Sequence, residues 1–324
     1  MRDTNKMKPK IIVTRDIPDE VESKLKQYFR VSFNREDKVF SNEILEKAME
    51  NADGIVCTVT DNITDKLLTL PNKKVKIIAN IGVGVDHIDL QSAKQNNVII
   101  TNTPDVLTEA TVDIATLLLL SVTRNAFLME TMLRQGEWKG FSLTENLGVG
   151  VRGKTLGLVG MGRIGKAFGK RAHEVFGMKV LYYNRSPVTD LKFEASVRFD
   201  LDALLEESDV ISLHLSSDKG NKNFISKSRM KKIRPSSFLI NTSRGDVIDQ
   251  MALIDLLEKK KLAGAGLDVF LNEPNVPLRL RRLSNVTLYP HIGSATHETR
   301  TQMGMLAVEN LIAFFNEKQV INQL

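Results

Sequence analysis

The stretch from Lys154 to Gly165 limits the possible fold of this chain more than any other part of the sequence. It begins with an uninterrupted apolar run, Leu156 to Val159, which suits a parallel strand buried on both faces. Gly160, Gly162 and Gly165 follow, and a helical period of apolar residues starts at the third glycine. A strand, a tight glycine turn and a helix in this order are typical of a unit that binds a dinucleotide.

Each glycine has its own task in such a unit. The first makes the sharp turn, the second lets backbone amides approach a pyrophosphate, and the third lets the helix pack closely on the strand. Because the helix N-terminus then faces the anion, the predicted cofactor contacts of the turn are Gly160, Gly162, Arg163, Ile164 and Gly165. The pattern alone also fits a strand, turn and helix without a ligand, so the rest of the chain must decide.

The composition predicts a folded protein of ordinary type. The chain has 324 residues, of which 42% are hydrophobic and 26% are charged, which is enough for two domains. No secretory signal is recognisable after the basic N-terminus, and the longest apolar run, Ile114 to Val122, is too short to span a bilayer. We therefore expect a cytoplasmic protein with no membrane partner. The single cysteine, Cys57, excludes an internal disulfide and is predicted to be a buried small hydrophobe.

The net charge of +6 raises the question of nucleic acid binding. The basic residues are spread along the chain, and the clusters Lys259 to Lys261 and Arg279 to Arg282 lie beside loops or helix ends. We interpret them as a solvated surface and predict no nucleic acid partner.

Short strands and helices alternate twice along the chain. The first series runs from Ile11 to Thr101 and the second from Leu156 to Tyr289, and each predicts a parallel sheet with helices on both faces. The fold class is therefore α/β, with two doubly wound parallel-sheet domains: a flavodoxin-like substrate domain and a Rossmann cofactor domain that share a hinge cleft.

The domain boundaries follow from the last helix, Glu298 to Asn316, which has too little chain after it to found a domain. We predict that it returns to the first domain. The substrate-binding domain is then discontinuous, with residues 1–102 plus 296–324, and the cofactor-binding domain comprises residues 103–295.

Two segments join the series. Val106 to Leu133 is predicted to be one long helix, since its apolar pattern continues without a clear stop. Arg134 to Arg152, which we call the arm, is rich in glycine and contains the only tryptophan, Trp138. The arm is predicted to be irregular, and it could reach another subunit or form a surface loop.

A second glycine turn, Ile81 to Asp86, follows a strand of the first series. Open parallel sheets bind ligands at the carboxyl ends of their strands, so the amides of Val83 and Gly84 could bind a carboxylate. A glycine turn needed only for chain geometry is the alternative.

Three strand ends of the second series carry Arg244, Glu273 and His291. Each has a simpler interpretation: a surface ion pair, a solvated loop carboxylate and a structural histidine, respectively. Together they supply what hydride transfer to a ketone needs. His291 can donate a proton, Glu273 can favour the imidazolium and fix the ring tautomer, and Arg244 can hold the carboxylate of a 2-oxoacid in a planar fork.

The predicted catalytic residues are therefore Arg244, Glu273 and His291, and the predicted substrate-binding residues are Val83, Gly84, Arg244 and His291. His-Glu spacing of the metalloprotease type and Cys/His sets do not occur in the sequence, so we predict no metal.

Five segments of the chain closely resemble the D-2-hydroxyacid dehydrogenase family, most of all its glyoxylate and hydroxypyruvate reductases. These segments are Gly160 to Gly165, Asn241 to Gly245, Gly266 to Pro274, Pro290 to Thr296 and Pro104 to Ala110. The resemblance implies the same Arg, Glu and His set, a two-domain homodimer with Trp138 at the subunit contact, and Asp268 near the nicotinamide amide. The chain departs from the family pattern at Ser216, Ser217, Asp218 and Asn221, which puts the cofactor contacts of that loop in doubt.

The full set of predicted cofactor contacts adds residues outside the glycine turn. These residues are Thr108, Asn184, Arg185, Ser186, Ser216, Thr242, Asp268, His291 and Gly293.

The end of the strand after the glycine turn predicts NADP(H), with NAD(H) also possible. An NAD site usually has an acidic residue about twenty positions into the motif, where it binds the ribose hydroxyls. Here the strand ends with Asn184, Arg185 and Ser186, which could surround a 2′-phosphate. The alternative is that Arg185 lies in solvent and that both cofactors are accepted.

The predicted function is NADP(H)-dependent reduction of a small 2-oxoacid of the glyoxylate and hydroxypyruvate class to the D-2-hydroxyacid. The alternative is a nucleotide-sensing, corepressor-like binding protein on the same fold. Glu273 and His291 favour the enzyme, because a sensor would need neither.

Overall fold

The computed structural model describes residues 7–216 and 220–324, so Ser217 and Asp218 lie outside the described residues. The chain divides into two compact units. The first comprises the residues up to Leu107 together with Ser294–Leu324, and the second is Thr108–Gly293. The substrate-binding and cofactor-binding roles predicted for the two domains remain predictions.

The first unit is a five-stranded parallel sheet with helices around it. Its elements up to the crossing are β1 (Lys10–Val13), α1 (Asp19–Tyr28), β2 (Arg30–Phe33), α2 (Asn42–Asn51), β3 (Gly54–Cys57), α3 (Asp65–Leu68), β4 (Ile77–Asn80), α4 (Leu90–Gln95) and β5 (Ile99–Thr101). The strand order β2-β1-β3-β4-β5 is that of the flavodoxin-like fold, as predicted.

The second unit is a seven-stranded parallel sheet. Its elements are α5 (Thr108–Thr123), α6 (Ala126–Arg134), β6 (Thr155–Val159), α7 (Arg163–Glu174), β7 (Lys179–Tyr183), β8 (Ser196–Val197), α8 (Leu201–Glu207), β9 (Val210–Leu213), α9 (Lys227–Met230), β10 (Phe238–Asn241), α10 (Gln250–Glu258), β11 (Gly264–Leu267), α11 (Leu278–Arg281) and β12 (Val286–Leu288). The order β12-β11-β10-β9-β6-β7-β8 reverses between β6 and β9, which is the Rossmann switch point.

Burial on both faces explains why the strands are apolar without interruption. In β3, Ile55 contributes to the core formed with Met49 of α2, whereas the next residue, Val56, contributes to the core on the other side, with Leu25 of α1. Successive side chains of a strand point to opposite faces, so both faces require apolar residues. Cys57 at the end of β3 is buried, as predicted.

The last helix, α12 (His297–Phe315), belongs to the first unit. Its N-cap is Thr296, whose hydroxyl accepts a hydrogen bond from the Thr299 amide. It packs closely on α1, because a Cβ atom at Gly304 would lie 2.6 Å from the side chain of Val21. Leu311 on this helix completes the core that contains Leu25 and Val56.

The prediction of one helix from Val106 to Leu133 is wrong. The structure has α5 and α6, whose axes differ by 67°. Asn125 between them adopts a left-handed backbone with φ of +53°, and the Val149 amide of the arm donates to the Thr123 carbonyl at 2.7 Å. In a continuous helix, the Thr123 carbonyl would accept a hydrogen bond from the amide four residues further along the chain. Here it accepts from the arm instead.

No single helix of the described chain has the length and apolar character to cross a membrane. Within residues 7–216 and 220–324, one pair of helices, α5 and α6, reaches that length when taken together, and the two are bent by 67° relative to each other. After Arg134, which is the last residue of α6, the arm contains no helix or strand, as predicted.

Candidate active site

The glycine turn after β6 has the geometry that its sequence predicts. Gly160 has φ of +97°, and a Cβ atom there would lie 2.4 Å from the carbonyl oxygen of His214. A Cβ atom at Gly165 would lie 2.3 Å from the Gly160 oxygen. At Gly162, by contrast, a Cβ atom would meet no atom within 4 Å. Two glycines are therefore required by the fold itself, and Gly162 leaves open space in front of the helix.

That open space lies at the N-terminus of α7, where Gly162 is the N-cap. The first-turn amides of a helix have no partner within the helix, and the helix dipole is positive at this end. Arg163 is exposed and Ile164 is half-buried at the same position. An unobstructed helix N-terminus behind a glycine turn fits a pyrophosphate, so the residues present fit a dinucleotide cofactor.

Asn184 ties the end of β7 to the glycine turn. Its Oδ1 accepts a hydrogen bond from the Met161 amide at 3.0 Å, and its Nδ2 donates to the Ser186 carbonyl at 2.8 Å. Arg185 and Ser186 are exposed beside it. The side chain of Asn184 therefore orders both the turn and the segment that carries Arg185.

The second part of the site is a histidine and carboxylate pair. His291 Nδ1 lies 2.7 Å from Glu273 Oε2, and both side chains are about one third exposed. The other oxygen of Glu273 accepts a hydrogen bond from the Phe270 amide at 2.9 Å. Because Nδ1 faces the carboxylate, Nε2 is the ring nitrogen that can face a substrate.

The charge state of Glu273 follows from this geometry. Burial raises the pKa of its carboxyl, but the hydrogen bond and charge of His291 lower it, and the Phe270 amide and the charge of Arg244 act in the same direction. The net result is a lowered pKa. Glu273 is therefore a carboxylate at neutral pH, and its negative charge lies beside Nδ1 of His291.

Asp268 fixes the backbone that carries His291. Its two carboxyl oxygens accept hydrogen bonds from the Ile292 and Gly293 amides, both at 2.8 Å, and its carbonyl accepts from the His291 amide at 2.9 Å. His291 has φ of +54°, which is uncommon for a residue other than glycine. Burial raises the pKa of Asp268 to about 6, against the opposing effects of the two amides and of His291.

Arg244 lies at the end of β10, next to the strand that leads to Glu273. A Cβ atom at Gly245 would lie 1.9 Å from the carbonyl carbon of Phe270, so the two strand ends are in direct backbone contact. Gln250 strengthens this contact, since its side-chain oxygen accepts a hydrogen bond from the Leu271 amide at 2.9 Å. Arg244, Glu273 and His291 thus come from the adjacent strands β10, β11 and β12.

The remaining predicted cofactor residues are more scattered. Thr108 is the first residue of α5, and a Cβ atom at Gly293 would lie 3.7 Å from Thr111 on the same helix. Ser216 is exposed after β9. The hydroxyl oxygen of Thr242 is buried and has no hydrogen-bond partner among the described residues.

The predicted substrate amides lie in the first unit, in the loop after β4. The carbonyls of Val83 and Gly84 accept hydrogen bonds from the side-chain amides of Asn102 and Asn80, each at 3.0 Å. Within residues 7–216 and 220–324, the N–H groups of Val83 and Gly84 donate to no other group.

Asn80, Asn102 and Gln250 were not identified from the sequence. The two asparagines are polar residues directly at or after strand ends, which is a usable signal. Gln250 begins a helix, and nothing in its local pattern indicates its contact with the Glu273 loop.

Comparison with known proteins identifies the family. The sequence model described as "D-isomer specific 2-hydroxyacid dehydrogenase, NAD binding domain" matches residues 116–293. The chain belongs to the D-isomer specific 2-hydroxyacid dehydrogenase family. It is therefore a dehydrogenase with a nicotinamide-binding domain, as the sequence predicted.

Similar proteins cover almost the whole chain. A glyoxylate reductase from Thermococcus litoralis is 44% identical over 313 residues, which are 95% of this chain and 94% of the relative. A Polaromonas structure assigned to the D-isomer specific 2-hydroxyacid dehydrogenases superposes with a TM-score of 0.91 at 37% identity, covering 98% of this chain and 99% of that one.

A third similar protein is the NADPH-dependent glyoxylate/hydroxypyruvate reductase of Sinorhizobium meliloti, in complex with NADP and malonate. It has a TM-score of 0.85 at 33% identity, and the match covers 98% of this chain and 97% of that chain. These comparisons give no support to the nucleotide-sensing alternative.

Proposed function

We propose that this dehydrogenase reduces a small 2-oxoacid of the glyoxylate and hydroxypyruvate class to the D-2-hydroxyacid, with NADP(H) as the preferred cofactor. The observation that carries the proposal is the His291–Glu273 pair at 2.7 Å, held at the strand ends of a Rossmann unit. The names of the Thermococcus and Sinorhizobium relatives support the substrate class.

The glycine turn would hold the cofactor pyrophosphate at the N-terminus of α7, over the open side of Gly162. When bound, the reduced nicotinamide supplies the hydride for the carbonyl carbon of the substrate. The tie between Asn184 and the Met161 amide keeps the turn in its binding geometry. The exposed Arg185 and Ser186 would contact the 2′-phosphate.

His291 is proposed to be the proton donor. Its Nε2 gives a proton to the carbonyl oxygen as hydride arrives, while Glu273 holds Nδ1 and stabilises the imidazolium before transfer. The strained backbone at His291 is held by Asp268, which fixes the ring position.

Arg244 is proposed to bind the carboxylate of the oxoacid and to polarise its carbonyl. The Val83 and Gly84 amides would take the remaining carboxylate oxygen. A bidentate guanidinium and backbone amides both discriminate in favour of a carboxylate over a neutral group.

The test is a cofactor-oxidation assay with glyoxylate, hydroxypyruvate, pyruvate and larger 2-oxoacids, each with NADPH and with NADH. We expect turnover of glyoxylate and of hydroxypyruvate, with D-glycerate as the product formed from hydroxypyruvate. His291→Ala is the control, and it should lower kcat by about two to four orders of magnitude while cofactor binding survives. Absence of turnover by a wild-type protein that binds NADPH would refute the proposal.

We also infer a homodimer, from the family resemblance and from the apolar surface of the arm, and we propose that the enzyme is cytoplasmic. Trp138, Phe141 and Leu143 are 56%, 87% and 80% exposed. Exposed aromatic and aliphatic side chains in one segment favour a protein interface.

A further inference from the structure

In the loop after β4, side-chain amides donate hydrogen bonds to three consecutive backbone carbonyls. Asn80 Nδ2 donates to the Gly82 and Gly84 carbonyls, both at 3.0 Å. Asn102 Nδ2 donates to the Val83 carbonyl between them, also at 3.0 Å. Three consecutive carbonyls are therefore held by the side-chain amides of two residues, one ending β4 and one just after β5.

Both asparagines are buried, and the Asn80 side chain has contacts on both of its ends. Asn80 is fully buried and Asn102 is 9% exposed. The side-chain oxygen of Asn80 lies 3.1 Å from His87 Nε2 and 3.8 Å from the Cys57 sulfur, so its Nδ2 faces the loop. Asn80 is buried and has partners on both its side-chain oxygen and its side-chain nitrogen, so it keeps one orientation and holds the loop in one conformation.

Because the peptide bond is planar, the direction of each backbone carbonyl also fixes the direction of the N–H group of the next residue. In a trans peptide, the C=O of one residue and the N–H of the next point in opposite directions. With the carbonyls of Gly82 and Val83 bound by the asparagines, the N–H groups of Val83 and Gly84 must point away from them. Thr103 fixes the start of the loop, since its amide donates to the Gly82 carbonyl and its hydroxyl accepts from the Gly82 amide, both at 3.0 Å.

We propose that Asn80 and Asn102 are positioning residues that aim the Val83 and Gly84 amides at the carboxylate of the 2-oxoacid. This inference rests on the proposed function, in which these two amides bind the substrate. Donors that are oriented before the ligand arrives need no reorganisation when it binds, so such donors bind an anion more tightly than mobile ones. The asparagines would then act through the loop without touching the substrate.

The experiment compares three neutral substitutions in the first unit. Asn80→Ser and Asn102→Ser remove the side-chain amides that donate to the loop carbonyls, and neither introduces a charge that could repel an anion. Asn310→Ser is the matched control, because Asn310 is also fully buried and donates to a backbone carbonyl, that of Leu306, outside the loop. A general loss of packing would affect Asn80→Ser and Asn310→Ser alike.

We expect Asn80→Ser to raise the KM for glyoxylate about ten- to a hundredfold, the equivalent of one charged hydrogen bond. The kcat should stay within about threefold, and the Kd for NADPH should not change, because the glycine turn lies in the other unit. Asn102→Ser should show a smaller effect in the same direction. An unchanged KM in both variants, or an equal rise in Asn310→Ser, would overturn the proposal.

Hydrogen exchange provides a second measurement that does not depend on turnover. Oxamate, a 2-oxoacid analogue that is not reduced, should slow exchange in the peptide covering residues 82–86 of the wild type with NADPH present, and this protection should be lost in Asn80→Ser. Equal protection in both proteins would refute the positioning role. Wild-type protection without turnover of any 2-oxoacid would refute the proposed function alone, while protection lost in the variant would still support the positioning role.

Discussion

At the scale of single residues, the contact between His291 and Glu273 makes a direct prediction about pH. Glu273 stays ionised because its pKa is lowered, and in the proposed mechanism its charge stabilises the imidazolium that donates the proton. Glu273→Gln removes that charge and keeps the shape, so the imidazole should lose its proton at lower pH. The descending limb of kcat/KM for reduction should then move to lower pH, as measured in pH-rate profiles. An unmoved limb would exclude Glu273 from this role.

Asp268 makes a prediction about stability. Its pKa is raised by burial from the ordinary 3.8 to about 6, so between these pH values the folded state binds a proton that the unfolded state releases. The contribution of Asp268 to the free energy of unfolding is therefore full below pH 4 and is lost as the pH rises through 6. Relative to Asp268→Asn, the wild type should lose on the order of 1 to 3 kcal/mol between pH 4 and pH 7. Urea unfolding of both proteins across this range tests the prediction, and parallel curves would contradict it.

Arg185 makes the prediction that concerns cofactor choice. It is exposed at the end of β7, and the segment Asn184 to Ser186 contains no carboxylate that would repel a phosphate. A charged hydrogen bond contributes about 1.5 to 3 kcal/mol, so Arg185→Ala should weaken NADPH binding about ten- to a hundredfold. NADH lacks the 2′-phosphate and serves as the internal control. Equal losses for the two cofactors, measured as dissociation constants, would exclude a phosphate contact.

At the scale of elements, the glycine turn offers a matched pair of substitutions. A methyl group at Gly162 would meet open space and the residue has an ordinary φ of −76°, so Gly162→Ala should change the free energy of unfolding by less than about 1 kcal/mol. The same methyl group would occupy the space proposed for the pyrophosphate, and NADPH binding should weaken at least about tenfold. Gly165→Ala instead forces a contact of 2.3 Å with the Gly160 oxygen.

We therefore expect Gly165→Ala to destabilise the protein by roughly 1 to 3 kcal/mol, as overpacking does. Urea unfolding and a fluorescence titration with NADPH separate the two effects. A stability loss at Gly162 equal to that at Gly165 would contradict the interpretation of Gly162 as a ligand-facing glycine.

The predicted elements that the structure confirms are those specified by local pattern. Strands such as β7 and β10 are apolar runs buried on both faces, so their ends could be placed from the sequence. The break between α5 and α6 could not be placed from the local sequence. It depends on a hydrogen bond from the Val149 amide to the Thr123 carbonyl, and these residues are 26 positions apart in the chain. Asn125 was the one local signal, since asparagine tolerates a left-handed backbone. Strand β8 consists of two exposed residues, so the sequence has no apolar pattern there from which a strand could be predicted.

The candidate site also contains some features that the local sequence predicts and others that depend on tertiary packing. Polar residues after buried strands placed Arg244, Glu273 and His291 at one edge of a sheet, and the structure shows the His291–Glu273 contact. The left-handed backbone of His291 and the buried amide contacts of Asp268 depend on tertiary packing, which a linear pattern does not contain.

At the scale of the whole molecule, association between copies of the chain depends on apolar side chains that the fold leaves exposed. The arm and α6 carry several exposed apolar side chains: Phe127, Leu133, Trp138, Phe141, Leu143 and Leu147. Isolated exposed apolar residues are common, but a contiguous series in one segment favours an interface.

The last prediction is that this surface joins two copies of the chain. Phe141 is 87% exposed, so Phe141→Glu should leave the folded chain intact and place a charge in the interface, which costs several kcal/mol when a charge is buried without a partner. Phe199 is 90% exposed but lies outside the arm, after β8, so Phe199→Glu is the matched control. Sedimentation equilibrium should show a wild-type dimer, a dimer for Phe199→Glu and a dissociation constant raised at least about a hundredfold for Phe141→Glu. A monomeric wild type, or dimers of unchanged affinity in both variants, would show that the arm is a surface loop.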